Sequence, residues 1–99
     1  MEKLKLSEQD IVNALCLYIA DKKQISPHDV SVELMWDEDY GFSASAMENG
    51  RTQMLIQANM IEAIRFWLRH ELHRDPFAAS LELVLDDDEG IIAFANYYR

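Results

Sequence analysis

Phe42-Ser43-Ala44-Ser45-Ala46-Met47-Glu48-Asn49-Gly50-Arg51-Thr52-Gln53-Met54-Leu55-Ile56 is the stretch that decides the fold class. At its centre, Asn49-Gly50 suits a type I′ turn, which needs positive φ at both central residues. The turn predicts one strand from Phe42 to Glu48, small at Ser43, Ala44, Ser45 and Ala46, and a second from Arg51 to about Ile56. In that register Glu48 faces Arg51, a modest and salt-sensitive cross-strand pair.

Working back from this hairpin, Val30, Val32, Leu34 and Trp36 alternate with Ser31, Glu33, Met35 and Asp37, the pattern of a half-buried strand. Asp37-Glu38-Asp39-Tyr40-Gly41 separates it from the hairpin, and Ser26-Pro27-His28-Asp29 is a turn before it. Further upstream, Ser7 reads as an N-cap whose hydroxyl accepts from free amides, while Glu8 and Asp10 complement the helix dipole. Ile11, Leu15, Tyr18 and Ile19 recur at helical spacing, and Ala14, Cys16 and Leu17 widen the apolar face, so a deeply packed helix is expected to end near Lys23.

Downstream, the period changes at about Ala58. Ile61, Ile64, Leu68 and Leu72 form one stripe, widened by Met60 and Trp67, and Arg69, His70, His73 and Arg74 crowd the expected last turns before Asp75-Pro76 stops the helix. Leu81, Leu83 and Leu85 then alternate with Glu82 and Val84, and Asp86-Asp87-Asp88-Glu89-Gly90 turns the chain into Ile91 to Tyr97. The expected order is α-β-β-β-α-β-β. This predicts an α+β fold in which a mainly antiparallel five-stranded sheet carries both helices on one face.

Ninety-nine residues make one domain, 1–99, with no second core, internal repeat or linker. The composition is 49% hydrophobic, enough for the chain to fold without staples. A lone cysteine, Cys16, has no internal disulfide partner, which fits a reducing, cytoplasmic setting. The amino-terminal Met1-Glu2-Lys3-Leu4-Lys5-Leu6-Ser7 lacks a signal-like apolar region, and no run of about 18 uncharged apolar residues occurs, so neither secretion nor membrane insertion is expected. Eighteen acids against nine Lys and Arg give a charge of −9, which repels phosphate backbones and anionic lipids. Nucleic acid is therefore not an expected partner.

The string Trp36-Asp37-Glu38-Asp39-Tyr40-Gly41-Phe42-Ser43-Ala44, the Asn49-Gly50-Arg51 turn, Asn59-Met60-Ile61-Glu62-Ala63-Ile64 and Leu85-Asp86-Asp87-Asp88-Glu89-Gly90-Ile91-Ile92-Ala93 resemble the YxcD-like proteins of Bacillus-type bacteria. The resemblance covers most of the chain. It implies a single-domain bacterial protein of the cytoplasm and carries over no catalytic residue, because that family has no assigned function.

His70-Glu71-Leu72-His73 is the most tempting constellation, since histidines three apart on a helix can face one metal ion. A metalloprotease helix instead places them four apart, and a zinc site needs further ligands, for which His28, Asp29 and Glu71 are spatial guesses. The competing reading is that His70 and His73 cap a helix end in solvent. In the Asp86–Gly90 stretch, glycine is fifth rather than sixth and Tyr97 stands twelfth, so the EF-hand pattern fails. Cys16 lies in an apolar helical span where a thiol is inert, Ser43 and Ser45 lack a nucleophile-elbow setting, and three scattered glycines make no phosphate loop. No catalytic residue and no cofactor follow.

Most aromatic residues read as core. Phe66 falls to the flank of the second helix and Tyr98 emerges past the last strand, so these two are the candidate interface residues. The leading expectation is a non-enzymatic interaction module, a homodimer or the binder of an unidentified protein, acting through a sheet face or edge and exposed aromatics. The runner-up is a metal- or small-ligand-binding protein centred on His70 and His73. An acidic decoy for nucleic-acid-binding proteins ranks third.

Overall fold

Each hairpin tightens at a residue that tolerates positive φ, and the helices between them bury their stripes on the resulting sheets. The computed structural model describes residues 1–98. The chain runs β1 (Glu2–Leu6), α1 (Glu8–Lys23), a 3-10 turn (Pro27–Asp29), β2 (Ser31–Asp37), β3 (Gly41–Glu48), β4 (Arg51–Ile56), α2 (Gln57–Glu71), β5 (Ala79–Asp86) and β6 (Gly90–Tyr97).

The expectation of one five-stranded sheet is overturned. Six strands form two separate three-stranded antiparallel sheets, ordered β1-β6-β5 and β2-β3-β4. The element order is therefore β-α-β-β-β-α-β-β. The missed strand, β1, is five residues long, and its Leu4 and Leu6 alternate with Lys3 and Lys5. It pairs with the far end of the chain, Glu2 opposite Tyr97 and Leu6 opposite Ala93, so no turn chemistry announces it. The split has its own cause: α2 carries the chain from β4, an edge of one sheet, to β5, an edge of the other.

Helix α1 begins with a full capping box. Asp10 N–H donates to Ser7 Oγ at 3.1 Å, and Ser7 N–H donates to Asp10 Oδ2 at 3.0 Å. At its other end Gln24 adopts φ 56°, and Ile25 N–H returns to the Ala20 carbonyl at 3.0 Å. Helix α2 ends sooner than its apolar stripe predicts. Leu72 is the C-cap, His73 turns left-handed at φ 54°, and Arg74 N–H closes on the Leu68 carbonyl. His73 and Arg74 therefore lie beyond the helix.

The Asn49-Gly50 hairpin pairs Glu48 with Arg51, with φ of 49° and 75° at the two turn residues. The two acidic turns share a different design. Asp37 Oδ1 accepts from Asp39 and Tyr40 N–H, Asp86 Oδ2 accepts from Asp88 and Glu89 N–H, and a left-handed glycine, Gly41 or Gly90, closes each three-residue loop opposite its aspartate. The first acid in each run thus caps its own turn.

The two sheets meet the helices in one apolar cluster. Ile11, Ala14, Leu15, Met60, Ala63, Ile64 and Leu68 come from the helices, Ala44, Ala46 and Leu55 from the β2–β4 sheet, and Leu6, Leu83, Ala93 and Ala95 from the other. Small residues on β3 and β6 let the helices approach closely. Helix α1 packs along α2 and touches β2 and β6, whereas α2 lies over β3 and β4.

Candidate functional site

The core-facing residues of the β2–β4 sheet leave a complementary set on its other side. Across the ladder, Ser31, Met47 and Thr52 align in one row, Glu33, Ser45 and Met54 in the next, and Met35, Ser43 and Ile56 in the third. Paired residues of an antiparallel ladder share a face, so these nine form a single surface. Met47, Met54 and Ile56 are 51%, 58% and 63% exposed, and Met35 is half-buried. Its charged residues are Glu33 and, opposite Gly41 in the next row, Asp37, in a chain that is 27% charged. Methionine side chains have low rotational barriers and polarizable sulfur, which suits them to adaptable contacts.

A second candidate lies on the helical side. Phe66 is half-buried on α2, meets the Tyr18 ring edge-on at 5.8 Å between centroids, and stacks with His70 at 4.1 Å. This stack divides two crevices. One, about 450 Å³, includes Asp21, Gln24, Pro27 and Glu71 in its wall; the other, about 330 Å³, is lined by Tyr18, Glu62, Arg65, Arg69, Pro76 and Phe77. Arg65 is anchored there, donating from Nη1 to the carbonyls of Pro76 and Ala79.

Tyr18 Oη is buried and has no hydrogen-bond partner within the protein. Burial raises its pKa above that of free tyrosine, with Lys22 and Glu62 as its charged neighbours. Burial likewise raises Tyr97, whose ring lies under the Arg74 guanidinium at 4.2 Å. For an acid held neutral by the fold, stability is complete below the unfolded pKa of about 10 and falls as pH rises through the higher folded value. Absorbance titration should therefore show two late-ionising phenols, one of which disappears in Tyr18→Phe and the other in Tyr97→Phe. Since the Tyr18 hydroxyl makes no bond, Tyr18→Phe should leave stability unchanged or raise it by up to about 1 kcal/mol in urea titration. A loss of more than about 1 kcal/mol would mean that the hydroxyl is satisfied.

The residues singled out from sequence are dispersed. His70 is exposed and stacked on Phe66, while His73 is past the helix, so the two do not share a helical face. Among the described residues, no three His, Cys, Asp or Glu side chains converge as a metal-binding group. Tyr98 is 62% exposed beyond β6 and lines neither crevice beside Phe66. Cys16 and His28 line one further crevice with Trp67 and Glu71. The thiol nevertheless donates to the Val30 carbonyl, and burial pushes its pKa up, the opposite of nucleophile activation.

Sequence reading missed the exposed sheet face. Its signal was present, since Met35 occupies the polar phase of a strand whose other outward residues include Ser31 and Glu33. None of the described helices is long and apolar enough to cross a membrane.

The chain is 33% identical over 92 residues to the uncharacterized protein YxcD of Bacillus subtilis (strain 168), covering 92% of this chain and 90% of that one. No solved structure matches it. The family model described as protein of unknown function (DUF2653) matches residues 1–88, and with the YxcD likeness this places the chain in the DUF2653 family.

Proposed function

We propose that the protein is a non-enzymatic interaction module of the bacterial cytoplasm that assembles with a second copy of itself through the outer face of the β2–β4 sheet. The observation that carries this reading is the row-by-row exposure of Met47, Met54 and Ile56 on a face whose charged residues, Glu33 and Asp37, sit on the β2 edge. A basic partner would be drawn to the acidic turns at Asp37–Asp39 and Asp86–Glu89 rather than to this face. An apolar centre on a chain of charge −9, with its two acids on the β2 edge, suits an identical surface related by a two-fold axis.

Size bounds the affinity. Three strands about 4.8 Å apart, with a rise of about 3.3 Å per residue, give a face of roughly 300 Å² in plan. A pair of such faces totals roughly 600 Å² in plan, below the roughly 1,000 Å² of a stable specific interface, so a weak, transient dimer dissociating at about 0.1 mM or above is expected. Two bodies of like charge also repel, so added salt should tighten the dimer by screening.

The test is light-scattering mass across a concentration series. The unmodified chain should pass from dimer to monomer on dilution, and Met54→Glu combined with Ile56→Lys should remain monomeric with unchanged circular dichroism. Both positions are exposed, so the fold tolerates them. A monomer at every concentration, or a dimer indifferent to both substitutions, would overturn the reading.

A further inference from the structure

We infer that the crevice between Tyr18, Phe66 and Phe77 binds a small aromatic carboxylic acid. Its walls are the Phe66 and Phe77 rings and Pro76, and its volume, about 330 Å³, falls within the range of small-molecule sites. Two of the chain's nine Lys and Arg, Arg65 and Arg69, line it, and Lys22, whose Nζ lies 4.7 Å from the centroid of the Tyr18 ring, lines a neighbouring crevice that shares Tyr18. Glu62 is the one acid in the lining, against Asp21 and Glu71 in the crevice across the Phe66–His70 stack. In an acidic protein, this is a local reversal of charge.

The second, independent observation is Tyr18 itself. The residue is 8% exposed, it lines the crevice, and its hydroxyl is buried without a hydrogen bond of ordinary length, Lys22 and Glu62 being its polar neighbours. An orphaned buried donor costs stability unless something accepts its proton. A carboxylate oxygen can take that hydrogen bond while the flexible Lys22 ammonium and the Arg69 guanidinium balance its charge, and the aryl group packs between Phe66 and Phe77. Arg69 forms no ion pair among the described residues, whereas Lys22 lies against the Tyr18 ring with Glu62 as a further charged neighbour. Arg65, held by two carbonyls, fixes the rim at Pro76. The site lies on the helical side and does not depend on the sheet-face dimer.

Benzoate titrated into the ¹⁵N-labelled full-length protein, followed by amide shifts, tests this directly. Saturable shifts are expected at residues 62–70, 77 and 78, with a Kd of about 1 mM for so small a probe. Tyr18→Phe and the pair Lys22→Gln with Arg69→Gln should each weaken binding about tenfold without altering the unliganded spectrum elsewhere. Benzamide, which has the same ring without the charge, should bind at least about tenfold more weakly. The inference fails if benzoate gives no saturable shifts at about 10 mM, if benzamide matches it, or if both variants bind as tightly as the unmodified chain. It fails equally if the same amides shift on concentrating the protein alone, which would assign the crevice to a second copy.

Discussion

Replacing Leu15 with alanine is expected to lower the unfolding free energy by about 3 kcal/mol, a large fraction of the roughly 5 to 15 kcal/mol available to a domain. Leu15 is fully buried on α1, at the helix that touches α2, β2 and β6. Its truncation removes apolar contacts and leaves a void that rigid neighbours cannot fill. Because residues of both sheets enter one cluster with the helices, the loss should appear in a single transition. Urea unfolding followed by tryptophan fluorescence, with Trp36 on β2 and Trp67 on α2, and by circular dichroism should give coincident curves. Two separated transitions, or a loss below about 1 kcal/mol, would show that the sheets do not share a core.

The second large effect is expected where α1 meets the closing hairpin. Glu8 opens the helix, and its Oε2 accepts from Ile91 N–H at 3.0 Å, just after Gly90. Gly90 has φ 78°, and a Cβ placed on it would come within 2.5 Å of that same carboxylate oxygen. Gly90→Ala therefore incurs both left-handed strain, about 1 to 2 kcal/mol, and displacement of the Glu8 carboxylate from a partly buried amide. A total near 3 kcal/mol is expected. Glu8→Ala alone should cost about 1 to 3 kcal/mol through the unpaired Ile91 amide. The double variant should then cost about 1 kcal/mol less than the sum of the two, because the carboxylate can be lost only once. Costs that add within about 0.3 kcal/mol would show that Glu8 and Gly90 act independently.

How much of this was legible in the sequence depended on how local the determining chemistry is. The α1 start, the Asn49-Gly50 hairpin and the Glu48–Arg51 register follow from residues within a few positions of one another, and the structure has them. Strand β1 did not stand out, because its pairing joins Glu2 to Tyr97, at the far end of the chain, and no turn announces it. The division into two sheets was hidden for a related reason: hairpins reveal which strands are neighbours, but not which edge a connecting helix delivers the chain to. The end of α2 was misplaced because Leu72 continues the apolar stripe while the backbone has already left the helix, with His73 left-handed. That single geometry separates His70 from His73. At the candidate sites, Phe66 was visible as a flank residue, whereas its partners Tyr18, on α1, and Pro76-Phe77, after α2, come from two other places in the chain. The methionine face was written in the polar phase of β2 and β4 and becomes a surface only when three strands align.

If the outer face of the β2–β4 sheet joins two copies of this chain, its five methionines report the contact directly. Met35, Met47 and Met54 lie on that face, Met60 is fully buried in the core, and Met1 is exposed at the chain's start. In a mixture of methyl-labelled and unlabelled protein at a concentration well above dissociation, filtered nuclear Overhauser spectra should show intermolecular contacts at the Met47 and Met54 methyls and none at Met60 or Met1. Intermolecular contacts confined to other methyls, or none at any methionine, would contradict the account.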